Sequence, residues 1–388
     1  MTTDSNPLVI SGACVFDERG EFSLRTIVGM ADGVFVDDRS PAPPNSPSLN
    51  ATGMWLVPGV YDCHSHISWG DFHREDREAR SPEEQLAQAR DALAATLRGG
   101  VTNLRDAGGA DAALRDAVAD GSLIGPRLQI SVDMIGADDA GSVSSVRAAV
   151  ARALDKGATW IKLVATTGVA TPADSLLDSI FNRAEFAAAV DAAHEGDARV
   201  MVHTWGGDSI DWAIEAGATS IEHGIYMTSS QATRAHDAGM TLVPTLTIYR
   251  YVREMVVAGK LGGVPLARIA DVVAVHEKVV RLAQEAGLPL AVGSDFSTPE
   301  QHGKNLVEIG SLMRAGLTSA EALLAATRNG ATLLNDPDGG VIATGYRADA
   351  LILANDPADP STFEDPENVA AVIKDGVIVH LSPALAPT

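Results

Sequence analysis

Hydrophobic and polar positions change rhythm twice along the chain. Up to about residue 55, short apolar stretches (LVISGACVF, SLRTIVGM, GVFVDD) are parted by Gly, Asp and Pro turns, the texture of short strands. After Pro58, short apolar runs alternate with Ala-rich helical stretches. The runs are WLVPGVYDC, VTNLRD, RLQISVDMI, TWIKLVA, RVMVHT, SIEHG, TLVPTLTI and LPLAVGSD. This βα alternation predicts an α/β protein with a parallel sheet, and eight runs at this length point to a (β/α)8 TIM barrel. Beyond about residue 340 the strand texture returns in VIATGYRADALILAND and AAVIKDGVIVH. The predicted organisation is a barrel over 58–340, flanked by a small β-sandwich domain formed from both termini, 1–57 and 341–388. Two helix starts are legible. Ser81-Pro82-Glu83-Glu84 and Thr318-Ser319-Ala320-Glu321 carry capping-box chemistry, and Asn329-Gly330 is expected to close the second helix.

Composition narrows the class. The 388 residues are 46% apolar with a net charge of −22. That supports a large core and disfavours nucleic acid and anionic membranes as partners. No run of about 18 apolar residues suggests a membrane span, and the N-terminus carries no basic region followed by an apolar stretch. A cytoplasmic protein is expected, with a small-molecule substrate and further copies of itself as partners. The two cysteines, Cys14 and Cys63, exclude a disulfide framework, and Cys63 reads as a buried strand residue. Arginine outnumbers lysine 23 to 6, which makes a lysine inside an apolar strand conspicuous.

Six residues at or near the C-terminal ends of these runs carry the chemistry. His64 and His66 stand at i, i+2, a spacing that puts both imidazoles on one side of a strand; a pair of hydrogen-bonded histidines is the plainer reading. Lys162 lies in TWIKLVA, where burial of an unpaired ammonium is costly. It either reaches a partner at the strand end or has captured CO2 as a carbamate able to bridge two ions. His203 and His223 follow on the next two runs, as core histidines or as ligands of the kind zinc takes. Asp295 ends the eighth run, as a helix cap or as ligand and proton acceptor. Two divalent ions against one carboxylate, one carbamate and one hydroxide leave a single positive charge, which suits an oxyanion formed from a carbonyl compound.

With these six in order, the chain resembles the amidohydrolase superfamily over nearly its whole length. The resemblance includes PGVYDCHSH, GLTSAEALLAATRNGATLL and GYRADALILANDP. GVTNLRDAGG, IKLVATTGVATP and IEHGIYM look most like the branch of binuclear metallopeptidases acting on Xaa-Pro and related acyl-amino acids, with imidazolonepropionases as near relatives. The resemblance implies two Zn2+ ions, one held by His64, His66 and Asp295 and one by His203 and His223, with N6-carboxylysine at Lys162 between them. It implies hydrolysis of an amide-type C–N bond (acyl-amino acid, dipeptide, lactam or carbamate) by a metal-bridging hydroxide, with Asp295 as general base and acid. Tyr226 and His302 match residues that meet the substrate in that branch, though a core tyrosine and an idle loop histidine fit equally. Arg105 and Arg250 are candidates for a substrate carboxylate, or simple ion pairs. Trp69 and Tyr249 are candidates for the pocket wall, or core. One departure is clear: many members carry Gly-Gly-His-Gly after the third strand, and here Ile135-Gly136-Ala137-Asp138-Asp139-Ala140-Gly141 has no histidine. Two alternatives remain open. One is a mononuclear deaminase or cyclic-amidine hydrolase with an unmodified Lys162. The other is a non-catalytic ligand-binding barrel.

Overall fold

The computed structural model describes residues 7–37, 46–168, 176–383 and 385. Part of the quoted IKLVATTGVATP stretch, residues 169–172, lies outside them. The fold is mixed α/β. Two all-parallel sheets carry the middle of the chain. One joins Val60–Ser65, Val101–Asp106 and Arg127–Ile130; the other joins Met134–Ile135, Trp160–Val164, Arg199–Thr204, Ser220–His223 and Thr241–Val243. Their strands are buried on both faces, which is why they read as continuous apolar runs. Helices follow the strands and pack their Ala, Leu and Val faces on the sheets, as Val146, Ala149, Val150 and Ala153 do in Val143–Asp155.

Four predicted strands meet a correction. WLVPGVYDC is two strands. Trp55–Pro58 pairs antiparallel with Ala350–Leu353, and Val60–Ser65 pairs with Val101–Asp106. The break falls at Gly59, where a Cβ would sit 2.3 Å from Thr102 Oγ1. RLQISVDMI also divides, because Val132 takes a left-handed φ of 61° between Arg127–Ile130 and Met134–Ile135. TLVPTLTI is a strand only to Val243; helix Leu246–Val257 begins directly after Thr245, whose φ is 55°. The carboxylate of Glu308, distant in sequence, accepts from the backbone N–H of Leu246 (2.7 Å) and Thr247 (2.8 Å). That tertiary cap overrides the strand preference of a β-branched run. The eighth run forms no ladder. It is an extended segment tied on both sides: Leu242 N donates to Pro289 O, Ala291 N to Leu242 O, Cys63 N to Val292 O and Asp295 N to His64 O, at 2.6–3.0 Å.

Strands from both ends of the chain share one six-stranded sheet, in the order Val377–Leu381, Val369–Lys374, Ala350–Leu353, Trp55–Pro58, Cys14–Phe16, Phe22–Leu24. A four-stranded sheet of N-terminal strands lies in the same apolar cluster, where Ile10, Val15, Phe35 and Leu56 meet Ile342, Ile352 and Ile373. Both capping boxes form, at Ser81–Glu84 and Thr318–Glu321. The helix from Ser319 stops at Ala326, however, and Asn329 and Gly330 lie inside the next helix, Arg328–Leu333. Gly330 is there for close packing: a Cβ would fall 2.5 Å from Cβ of Tyr61. Cys63 is buried and free. Among the described residues, no helix is long and apolar enough to cross a membrane.

Candidate metal centre

All six residues singled out at the strand ends line one cavity of about 300 Å³. Strand order explains the convergence. Val60–Ser65 brings His64 and the adjoining His66, Trp160–Val164 brings Lys162, Arg199–Thr204 brings His203, and Ser220–His223 brings His223. The segment tied to His64 O brings Asp295. Ring centroids are 4.5 Å apart for His203 and His223, 5.2 Å for His64 and His223, and 5.6 Å for His64 and His66. Ligand atoms of His64, His223 and Asp295 all lie within 4.8 Å of one another.

Hydrogen bonds fix what these rings present. His64 Nδ1 donates to Glu222 Oε2 at 2.7 Å, and His66 Nδ1 donates to the Gly108 carbonyl at 3.0 Å. In a neutral ring the other nitrogen then carries a lone pair. Those two Nε2 atoms lie 3.4 and 3.3 Å from the same oxygen, Oδ1 of Asp295. Three acceptors face one another; Lys162 relieves one of them, His64 Nε2, and a cation among the three would satisfy the rest. His203 Nε2 is buried with no hydrogen-bond partner among the described residues, a second sign of the same kind. Lys162 is 2% exposed, and its Nζ donates to His64 Nε2 at 3.2 Å. The donor set therefore fits divalent ions bound by imidazole and carboxylate.

Electrostatics keep the donors in ligand form. Burial, then Lys162, pulls His64 down to about 4 and His203 to about 3. Burial, then His203 and His64, holds His223 well below its ordinary range. Burial pushes the Asp295 carboxyl up, but His64, His66 and Lys162 outweigh it and hold it at about 2. Burial lowers the Lys162 amine to about 8, against the opposing pull of Glu222 and Asp295.

The backbone is strained where the centre needs it. His223 and Asp295 adopt φ of 70° and 56°, and Thr245, which bonds His223 Nδ1 at 2.7 Å, adopts 55°. Strict alternation would send Glu222 and His223 to opposite faces. The left-handed turn at His223 lets both serve the centre, at a cost on the order of 1–3 kcal/mol.

Other predicted site residues divide. Trp69 lines the cavity and stacks on His66 (3.8 Å, 23°); Tyr249 lines it too, edge-on to His223. Tyr226, His302, Arg105 and Arg250 do not line it. Tyr226 is half-buried against Gly206. His302 is buried with Nδ1 toward Thr96 Oγ1 at 3.4 Å. Arg105, fully buried, donates to Cys63 O, Ser220 Oγ and Glu222 Oε1, and Arg250 is engaged by Glu277 and Ser311. Arg105 is committed inside the protein and Arg250, partly exposed, to Glu277 and Ser311; neither reaches the cavity. Sequence reasoning missed Glu222. Its signal was there, an acid beside His223 in a buried strand. The stretch that stands where others carry Gly-Gly-His-Gly, residues 135–141, puts no side chain on the cavity; the apolar Met134, within the third run, does.

The profile of the Amidohydrolase family matches residues 55–379. The chain belongs to that family. This amidohydrolase is a metal-dependent hydrolase of carbon–nitrogen bonds. It is 30% identical over 323 residues to an uncharacterized protein of Mycobacterium tuberculosis, covering 82% of this chain and 84% of that one. It is 27% identical over 376 residues to ochratoxinase of Aspergillus niger, covering 86% and 77%. The crystal structure of a prolidase complexed with N-methylphosphonate-L-proline superposes with a TM-score of 0.89 at 29% identity, covering 97% of this chain and all of that one.

Proposed function

We propose that this amidohydrolase cleaves an amide-type C–N bond in a small molecule with the help of two divalent ions, zinc by the chemistry of the donors. His64, His66 and Asp295 would hold one ion, His203 and His223 the other, and Lys162, as N6-carboxylysine, would join them. The observation that carries this reading is the convergence of all six on one cavity, with acceptor atoms facing each other across 3.3–3.4 Å. Relatives named prolidase and ochratoxinase support a hydrolytic reading. In the same reading the parallel strands and the tied Leu290–Asp295 stretch close an eight-fold barrel over 58–340, and 1–57 with 341–388 make a β-sandwich.

When bound, the ions supply Lewis acidity toward a carbonyl and a lower pKa for water. The chain's own groups do the rest. Asp295, ionised, accepts a proton at Oδ1 and returns it to the departing nitrogen. Glu222 keeps the Nδ1 proton of His64 in place. Tyr249, whose phenol burial holds well above its ordinary range, stays protonated and donates to a carbonyl oxygen. The apolar wall excludes bulk water.

Elemental analysis of the active enzyme tests the proposal. Two ions per chain are expected, with activity on an amide panel lost on chelation and restored by zinc. A fully active enzyme with one ion would sink the pair. It would favour a mononuclear deaminase or amidine hydrolase, a reading to which the tight trio of His64, His223 and Asp295 lends itself.

A further inference from the structure

Helix Leu266–Ala286 buries Ile269, Val272, Val279, Val280 and Ala283, and one polar side chain stands among them, His276. It is 2% exposed. An aliphatic residue there would bury at no polar cost, so the imidazole needs a reason. That reason lies beside the metal centre. His276 Nε2 is 3.1 Å from the carbonyl oxygen of His223. A carbonyl only accepts, so Nε2 carries the hydrogen and donates it. Burial pulls the ring down to about 4, against the two carbonyls it faces, those of His223 and Pro244. Pro244 directly precedes Thr245, whose hydroxyl holds His223 Nδ1.

His223 needs such a donor because of its backbone. With φ of 70° it leaves the extended conformation at the last residue of Ser220–His223. The ladder to Thr241–Val243 runs in register only as far as Glu222, opposite Val243. The carbonyl of His223 lies beyond that ladder, and a buried acceptor left without a partner is costly. His276 supplies the partner from a helix. Tyr249 packs edge-on to both rings, 5.8 Å from His223 and 5.1 Å from His276. His223 is thus held at three points: its ring nitrogen by Thr245, its ring by Tyr249 and its carbonyl by His276.

We propose that His276 is a positioning residue of the metal centre: by donating to the carbonyl of His223 it holds the left-handed turn that aims the His223 imidazole into the cavity. This rests on the reading of His223 as a metal ligand. Without the donor the carbonyl is left unpaired, the strained turn loses its compensation, and the ring swings away from His203.

The test uses the full chain loaded with zinc or with cobalt. His276→Phe keeps a flat ring against Tyr249 and removes the donor, whereas His276→Gln keeps an N–H at similar reach. His276→Phe should bind zinc roughly tenfold more weakly in chelator competition and alter the visible absorption of the cobalt-loaded protein. His276→Gln should stay close to wild type in both. Should His276→Phe not fold, His276→Asn takes its place with the same expectation, since its shorter amide does not reach the carbonyl. Wild-type affinity and spectrum in the donorless variant would overturn the proposal. A glutamine variant as impaired as the donorless one would overturn it too, marking ring packing as the cause. Crystal structures of the metal-free variants separate this proposal from the reading of the centre. A negative φ at His223 in the donorless variant, in a protein that binds no metal, would sink the centre and keep His276 as the group that holds the turn. A metal-binding protein whose His223 stays left-handed without the donor would do the reverse.

Discussion

Glu222 accepts the Nδ1 proton of His64 at 2.7 Å, and that bond decides which nitrogen of the ring faces the cavity. The same carboxylate receives Arg105 at 2.8 Å on its other oxygen. Burial pushes Glu222 up, but Arg105 and His64 outweigh it and keep the carboxyl ionised. Replacing it with glutamine should weaken metal binding about 10- to 100-fold with little change of shape. Replacing it with alanine should also destabilise the fold by about 3–5 kcal/mol, because Arg105 is left charged and buried. Chelator competition and urea denaturation of the two variants read these effects separately. Equal metal affinity in wild type and Glu222→Gln would refute the role.

Lys162 offers a second check. If its amine is carboxylated, native mass spectrometry of the zinc-loaded enzyme should find the mass of one CO2 beyond protein and metal. Lys162→Ala should then retain at most one ion per chain and lose most of its activity. A variant with its full metal content would count against the carbamate.

Glu308 makes stability depend on pH. Burial lifts its carboxyl to about 7 from an ordinary 4.5, despite the bonds from Thr247 and Leu246. Because the folded value lies above the unfolded one, the stabilisation is complete below 4.5 and is lost as pH rises through 7. The loss is on the order of 3 kcal/mol. Glu308→Gln, neutral at every pH, should therefore gain on wild type in thermal midpoint between about pH 5 and pH 8. A difference that does not change with pH would show that Glu308 is not the group responsible.

Gly330→Ala reverses a usual sign. Inside a helix that change ordinarily stabilises by about 0.5–1 kcal/mol. Here the added methyl meets Cβ of Tyr61 at 2.5 Å, so a loss of about 1–3 kcal/mol is expected from overpacking. Denaturant midpoints of the two proteins decide between gain and loss.

The meeting of the six residues was legible because strand ends converge: His64, His66, Lys162, His203, His223 and Asp295, placed after apolar runs, needed only parallel packing to line one cavity. The elements that misled did so for local reasons. TLVPTLTI carries strand propensities, but Glu308, some sixty positions away, supplies a cap that no window of sequence contains. Asn329-Gly330 has the composition of a helix stop, yet Gly330 is demanded by the closeness of Tyr61. Arg105 reads like a surface or substrate arginine, whereas its partners Ser220 and Glu222 lie on a strand far along the chain. Trp69 and Tyr249 were legible as wall residues because they follow strand ends closely.

The division of WLVPGVYDC at Gly59 carries a last consequence, for the order in which the protein is made. Trp55–Pro58 lies between Cys14–Phe16 and Ala350–Leu353, and it gains the second of these neighbours only when Ala350–Leu353 has been synthesised; the strand bearing His64 continues directly from it. A nascent chain still lacking its last portion has all six cavity residues in hand but holds Trp55–Pro58, the lead-in to two of them, on one side only. Such a long-range closure is slow. The centre should therefore acquire its metal after release from the ribosome, as a late event of maturation rather than an early nucleus of folding.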